Sequence, residues 1–169
     1  QILKLPSLNE YNMLDGPYGL ILAPTRELAL QIEHEASKFC RPLGLKCVAI
    51  VGGHSMAEQS VQIRKGVEIV VATPGRLRDC LEQHVLALNQ CFSIVLDEAD
   101  RMIDMNFEDD LNFILSTLPA RMMKPDSEAS EDPQRYLRQG QYRQTTMFSA
   151  TMPPAVEKLA RNYLRRPGT

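Results

Sequence analysis

Three acids lie within four residues, Asp97, Glu98 and Asp100, directly behind the apolar run 92–96. Carboxylates crowded at the end of a buried strand repel one another and lose hydration unless something cationic or hydrogen-bond donating meets them. An acid in that place can hold Mg²⁺ through water. A neighbouring carboxylate can orient or deprotonate an attacking water. That is the division of labour in nucleotide hydrolysis. The competing role is a helix cap, made by Asp97 or Asp100. A cap uses a single oxygen and leaves Glu98 without a purpose.

Other short stretches have chemistry of their own. "PTRE" at 24–27 and "TPGR" at 73–76 each put Thr and Arg where a helix begins. Helix N-termini and backbone amides bind anions, and Arg holds phosphate in a fork. The plainer reading is a Thr cap, with Pro in the first turn of the second motif. Gly52–Gly53 can admit a close backbone or make an ordinary turn. "SAT" at 149–151 offers two hydroxyls. Their local role is to cap the helix that starts at "MPPAVEKLA", and they can also reach the acids if the two loops are neighbours. Met102, Met105, Met122 and Met123 read as filling, not as a binding surface.

These residues need elements to position them. Apolar runs at 18–23, 46–52, 68–73, 92–97 and 145–150 are too short for buried helices and read as strands covered on both faces. Helical patterns lie between and after them, at 26–39, about 55–65, 76–84, 107–118 and 153–164. The alternation predicts an α/β fold with a parallel sheet and right-handed crossovers. In such sheets ligands bind beyond the C-terminal ends of the strands. Each of the five runs ends in one of the loops above, a constellation stronger than any single motif.

Residues 1–17 read as the end of a helix that began earlier, followed by a loop. Residues 119–143 are long for a connection, polar, and interrupted by Pro125 and Pro133. They read as a surface insertion with a short helix at 133–139. Residues 1–169 otherwise form one domain. There are 19 Lys and Arg against 21 Asp and Glu, so no bulk electrostatic grip on nucleic acid is expected, and any such site is local. Four cysteines without C-x-x-C spacing give no metal-site pattern and read as reduced thiols. No apolar run reaches the ~20 residues a membrane helix needs.

"PTRELA" (24–29), "GG" (52–53), "TPGR" (73–76), "DEAD" (97–100) and "SAT" (149–151) resemble, in order and spacing, the first-domain signatures of the DEAD-box ATP-dependent RNA helicases. The resemblance covers nearly the whole chain. Longer runs at 16–33, 95–108 and 142–167, with "EDP" at 131–133, are similar to the branch that remodels pairing at the 5′ splice site. The resemblance implies a RecA-like parallel sheet flanked by helices, of the P-loop NTPase type. It implies an RNA-dependent ATP hydrolase that unwinds short duplexes or remodels RNA–protein complexes, with ATP and Mg²⁺ as cofactors. Its implied partners are RNA, a second RecA-like domain and spliceosomal proteins, in the nucleus and with no membrane.

The resemblance also assigns roles. Asp97 would hold Mg²⁺ through water, and Glu98 would activate the hydrolytic water. Asp100 would bond Ser149 and Thr151, tying the ATP site to RNA release. Pro24, Thr25, Arg26, Gly52, Gly53, Thr73, Gly75 and Arg76 would contact the RNA sugar-phosphate backbone without reading sequence. The departures are specific. No G-x-x-x-x-G-K-[ST] occurs in the 169 residues, nor does the family's glutamine-bearing adenine segment. The domain is therefore expected to be incomplete at its N-terminus, and by itself neither to bind ATP tightly nor to hydrolyse it. Asn106 replaces the family's usual Gly, in a turn that Asn tolerates. The alternative is a catalytically inactive RecA-like module that binds RNA or protein, which would have no need of Glu98.

Overall fold

A computed structural model of the chain describes residues 2, 5–53, 55–119 and 143–164. Among them five short strands, β1 (Gly19–Leu22), β2 (Cys47–Ile50), β3 (Ile69–Ala72), β4 (Ser93–Leu96) and β5 (Gln144–Met147), form one sheet in the order β2-β3-β1-β4-β5. Every pairing is parallel. Each strand falls in or within one residue of an apolar run predicted from sequence.

Among the described residues six α-helices accompany the sheet: α1 (Arg26–Cys40), α2 (Met56–Arg64), α3 (Pro74–Glu82), α4 (Ala99–Asp104), α5 (Glu108–Thr117) and α6 (Pro154–Tyr163). Local chemistry explains their starts. The Thr25 hydroxyl accepts the Leu28 N–H at 3.3 Å. Ser55 and Glu58 form a reciprocal capping box at α2. Pro74 opens α3 two residues before the expected start, because its fixed φ suits the first helical position. The short α4 was not expected. Asn106, at φ +64°, ends it and lets the chain restart as α5.

The strands alternate between two cores. Leu20, Leu22, Val70, Ala72, Ile94 and Leu96 face a large cluster with Leu77, Met102, Leu111, Ile114 and Val156 from the helices. Val71, Val51 and Ala23 face a smaller cluster closed by Ala29 of α1, with Ile21 packed against it. Burial on both faces is fullest at β3, where Val70, Val71 and Ala72 are all buried, while Ile21 of the central β1 is half-buried. Val95 is half-exposed, and β5 alternates between exposed and half-exposed residues. Among the described elements α1 packs over β2 and β3, leaving that face of β4 and β5 open.

Three cysteines are buried, Cys47 is half-buried, and all four are free thiols. Burial pushes Cys91 and Cys47 up to about 12, so neither forms a thiolate at neutral pH. Met102 is core, while Met105 is 42% exposed. Met122, Met123, the expected helix at 133–139 and all but the ends of the 119–143 insertion lie outside the described residues.

Candidate functional site

The register lines up the strand ends. Leu22 pairs with Ala72 on one side and Leu96 on the other, Ala72 with Ile50, and Leu96 with Met147. All five loops therefore leave the same edge of the sheet. The strand order also sorts them. The Gly-Gly, Thr-Pro-Gly-Arg and Pro-Thr-Arg loops follow β2, β3 and β1, and the acid and hydroxyl loops follow β4 and β5.

On the acid side, the Asp97 N–H donates to the Leu22 carbonyl at 2.9 Å, extending the ladder by one residue. One Asp97 carboxylate oxygen accepts the Glu98 N–H at 3.0 Å. Glu98 sits at φ +50°, ψ +54°, a left-handed conformation that costs a side-chain-bearing residue about 1–2 kcal/mol. Its carboxylate meets Arg101 Nη1 at 3.1 Å, with both side chains substantially exposed. Sequence reasoning missed Arg101, although its i+3 spacing from Glu98 on a helix start was a usable signal.

Asp100 joins the two loops. One carboxylate oxygen accepts the Thr151 hydroxyl at 2.7 Å and the Thr151 N–H at 2.9 Å. Its backbone N–H donates to the Ser149 hydroxyl at 3.1 Å, which in turn donates to the Thr151 carbonyl at 2.7 Å. The Thr151 hydroxyl, first among these donors, holds the Asp100 carboxyl down to about 2. A carboxyl depressed in the folded state stabilises it above the unfolded pKa, and that contribution is lost as pH falls through the folded value. The tie is thus complete at neutral pH and fails only in strong acid.

The capping roles need correction. Pro153 occupies the cap position of α6 and no side chain caps that helix. Ser149 and Thr151 stand outside the cap position and serve Asp100 instead. Neither Asp97 nor Asp100 is the cap residue of α4. Glu98 is, without a side-chain cap bond.

On the other side, Arg26 Nη1 donates to the Gly52 carbonyl at 2.8 Å. Gly53 lies at φ +86°, and a Cβ there would come within 1.9 Å of Arg26 Nη1. Gly53→Ala should displace a movable side-chain tip and force a left-handed alanine, lowering stability by ~1–2 kcal/mol. Urea unfolding would measure this, and a variant as stable as the parent would contradict the geometry. Thr73 holds the cap position of α3 without a side-chain cap bond. Pro24 is buried and precedes Thr25, the cap of α1. Thr25, Thr73, Gly75 and Arg76 are half-buried, while Arg26, Gly52 and Gly53 are exposed.

Arg76 Nε donates to the Gln59 side-chain oxygen at 2.9 Å, and the Gln59 amide nitrogen donates to the Val51 carbonyl at 2.9 Å. Gln59 was also missed. Its signal was a polar residue on the buried stripe of α2, between Met56 and Ile63.

A parallel sheet with acids and hydroxyls over one half of its edge and Thr-Arg-Gly loops over the other has the architecture of a RecA-like domain. The DEAD/DEAH box helicase family matches residues 2–159, and the chain belongs to that family. It is 59% identical to the pre-mRNA-splicing ATP-dependent RNA helicase prp28 of Sclerotinia sclerotiorum, over 98% of this chain and 21% of that protein. It is 54% identical to PRP28 of Yarrowia lipolytica, over 99% of this chain and 29% of that protein. The crystal structure of the yeast DEAD-box splicing factor Prp28 superposes with a TM-score of 0.80 at 39% identity, covering 96% of this chain and 34% of that one. Prp28 from Chaetomium thermophilum, solved with ADP, gives 0.71 at 53% identity, covering 93% and 33%. The chain thus spans about a fifth to under a third of the curated relatives it matches.

Proposed function

We propose that this chain works with a second RecA-like domain as an ATP-dependent RNA helicase of pre-mRNA splicing, acting in the nucleus on short RNA duplexes among spliceosomal proteins. The observation that carries the reading is the sorting of the loops. The β4–β5 half holds acids and hydroxyls suited to nucleotide hydrolysis. The β2-β3-β1 half holds Thr, Arg and Gly suited to a sugar-phosphate backbone. The kinship with pre-mRNA-splicing helicases supports the splicing role. Among the described residues no helix is long and apolar enough to cross a membrane.

The donor set fits Mg²⁺ in one way only. Among the described residues no cluster of three His, Cys, Asp or Glu could hold a metal. Mg²⁺ keeps several waters and shares its shell with substrate phosphates, so the half-buried Asp97 at the strand end suits it through water and with nucleotide present. Bound ATP supplies the phosphoanhydride that is cleaved. Glu98, at the sheet edge beside Asp97, takes the proton of the attacking water or orients it. Asp100 keeps the hydroxyl loop locked to the acid loop, so a change at either moves the other. Thr25, Arg26, Gly52, Gly53, Thr73, Gly75 and Arg76 hold the RNA backbone, with Pro24 placing Thr25. Gly52 has open space around it, and a side chain at Gly75 would meet only ordinary contacts. Gly52 thus leaves room for an approaching strand, whereas the space beside Gly75 is bordered by Asp110 and Phe107.

The test is strand separation of short RNA duplexes by the full-length protein with ATP. Unrelated sequences should open at similar rates, and a lack of RNA-stimulated hydrolysis would sink the reading. Arg76→Ala should weaken RNA about equally for unrelated sequences. It should also flatten the salt dependence by about 0.7 for one lost single-strand phosphate contact. A changed sequence preference would argue for base contacts instead.

A further inference from the structure

The amide of Gln59 bridges two of the loops assigned to RNA. It leaves the first turn of α2, is only 3% exposed, and ends between the Val51 carbonyl at the close of β2 and the Arg76 guanidinium after β3. Its orientation is settled by chemistry, because a carbonyl can only accept and a guanidinium can only donate. The amide must therefore turn its nitrogen to Val51 and its oxygen to Arg76. No other side chain of this length offers one acceptor and one donor without charge. Glutamate would set a carboxylate against a carbonyl. Leucine or methionine would leave the Val51 carbonyl and Arg76 Nε without this partner.

From the other flank, Arg26 holds the next carbonyl, that of Gly52. The Gly-Gly turn is thereby fixed from both sides, and Arg76 is fixed to the turn. We propose that Gln59 is a positioning residue: it presets the Arg76 guanidinium and the Gly52–Gly53 turn as one rigid surface for a nucleic-acid backbone, through its paired bonds to Val51 and Arg76. This rests on the RNA reading of those loops. Ordering such a surface before binding removes the entropy that a free arginine would lose on contact.

The experiment is a double-mutant cycle in the full-length protein, with single-stranded RNA affinity read across a salt series. Gln59→Leu should weaken binding roughly 3–10-fold, as expected for a lost hydrogen bond, and flatten the salt slope about as much as Arg76→Ala does. The double variant should be weakened by less than the product of the two single effects. Gln59→Met, closer in shape, should behave like Gln59→Leu, and serves if the leucine variant does not fold. Wild-type affinity and slope in the Gln59 variants would overturn the proposal. So would a double variant weakened by the product of the two single effects, because Gln59 would then act independently of Arg76. If Arg76→Ala itself leaves RNA binding unchanged, the RNA reading of the loops fails and this proposal falls with it.

Discussion

Glu98→Gln in the full-length protein should stop ATP turnover while ATP still binds. Glu98 projects from the strand end beside Asp97, held in a left-handed backbone and paired with Arg101. The amide keeps the size and most hydrogen bonds of the carboxylate but cannot accept a proton from water. Losing a general base or water-orienting group typically slows a reaction ~10²–10⁴-fold. Because the ground-state contacts survive, the loss should appear in kcat, and the variant should remain on RNA when ATP is present. RNA-stimulated hydrolysis near the parent rate would remove Glu98 from its assigned role. The strained backbone sharpens the expectation, since strain kept at a functional position is sustained by the packing around it.

Gly16→Ala is the second large effect, and it acts on the fold. Gly16 has φ +97° and ψ −170°, a region that residues with a side chain scarcely enter. An added Cβ would lie 1.8 Å from the Ala87 carbonyl oxygen, which is main chain and cannot swing aside. The Gly16 carbonyl is also held by Gln90 Nε2 at 2.6 Å, so the two loops are clamped together just ahead of β1. Backbone strain and the clash together should cost ~2–4 kcal/mol. Urea unfolding should move to a lower midpoint with an unchanged slope. At Gly53 the obstacle is only the movable tip of Arg26, so the loss there should be smaller. Equal losses at the two positions would mean that the Ala87 contact relaxes freely.

Much of the architecture was legible because β1 to β4 are short, mostly aliphatic runs ended by polar loops. "IVVA" and "SIVL" allow little else between helical patterns. The loops were legible because their residue types were chemically unusual for strand ends. Three things were not. The fully covered sheet was overstated, since apolar runs do not reveal where α1 stops covering the strands. Whether the hydroxyls of Ser149 and Thr151 cap a helix or bond Asp100 was left open by local sequence, and the contact with Asp100 that the family resemblance implied prevailed. Gln59 and Arg101 escaped because their roles arise from partners, Arg76 at 17 positions away and a left-handed Glu98, that periodicity does not supply.

The Asp97 N–H to Leu22 carbonyl bond has a wider consequence. It joins the last residue of β1, just ahead of the Pro-Thr-Arg loop, to the first of the acids by main chain alone. Neighbouring strands lie about 4.8 Å apart, so the two halves of the edge meet across a single strand spacing. A connection made of amides has no side chain to delete. Truncating side chains along it would leave that bond in place. Replacing that one amide by an ester would disturb it, a change that chemical ligation can make and that ordinary mutation cannot.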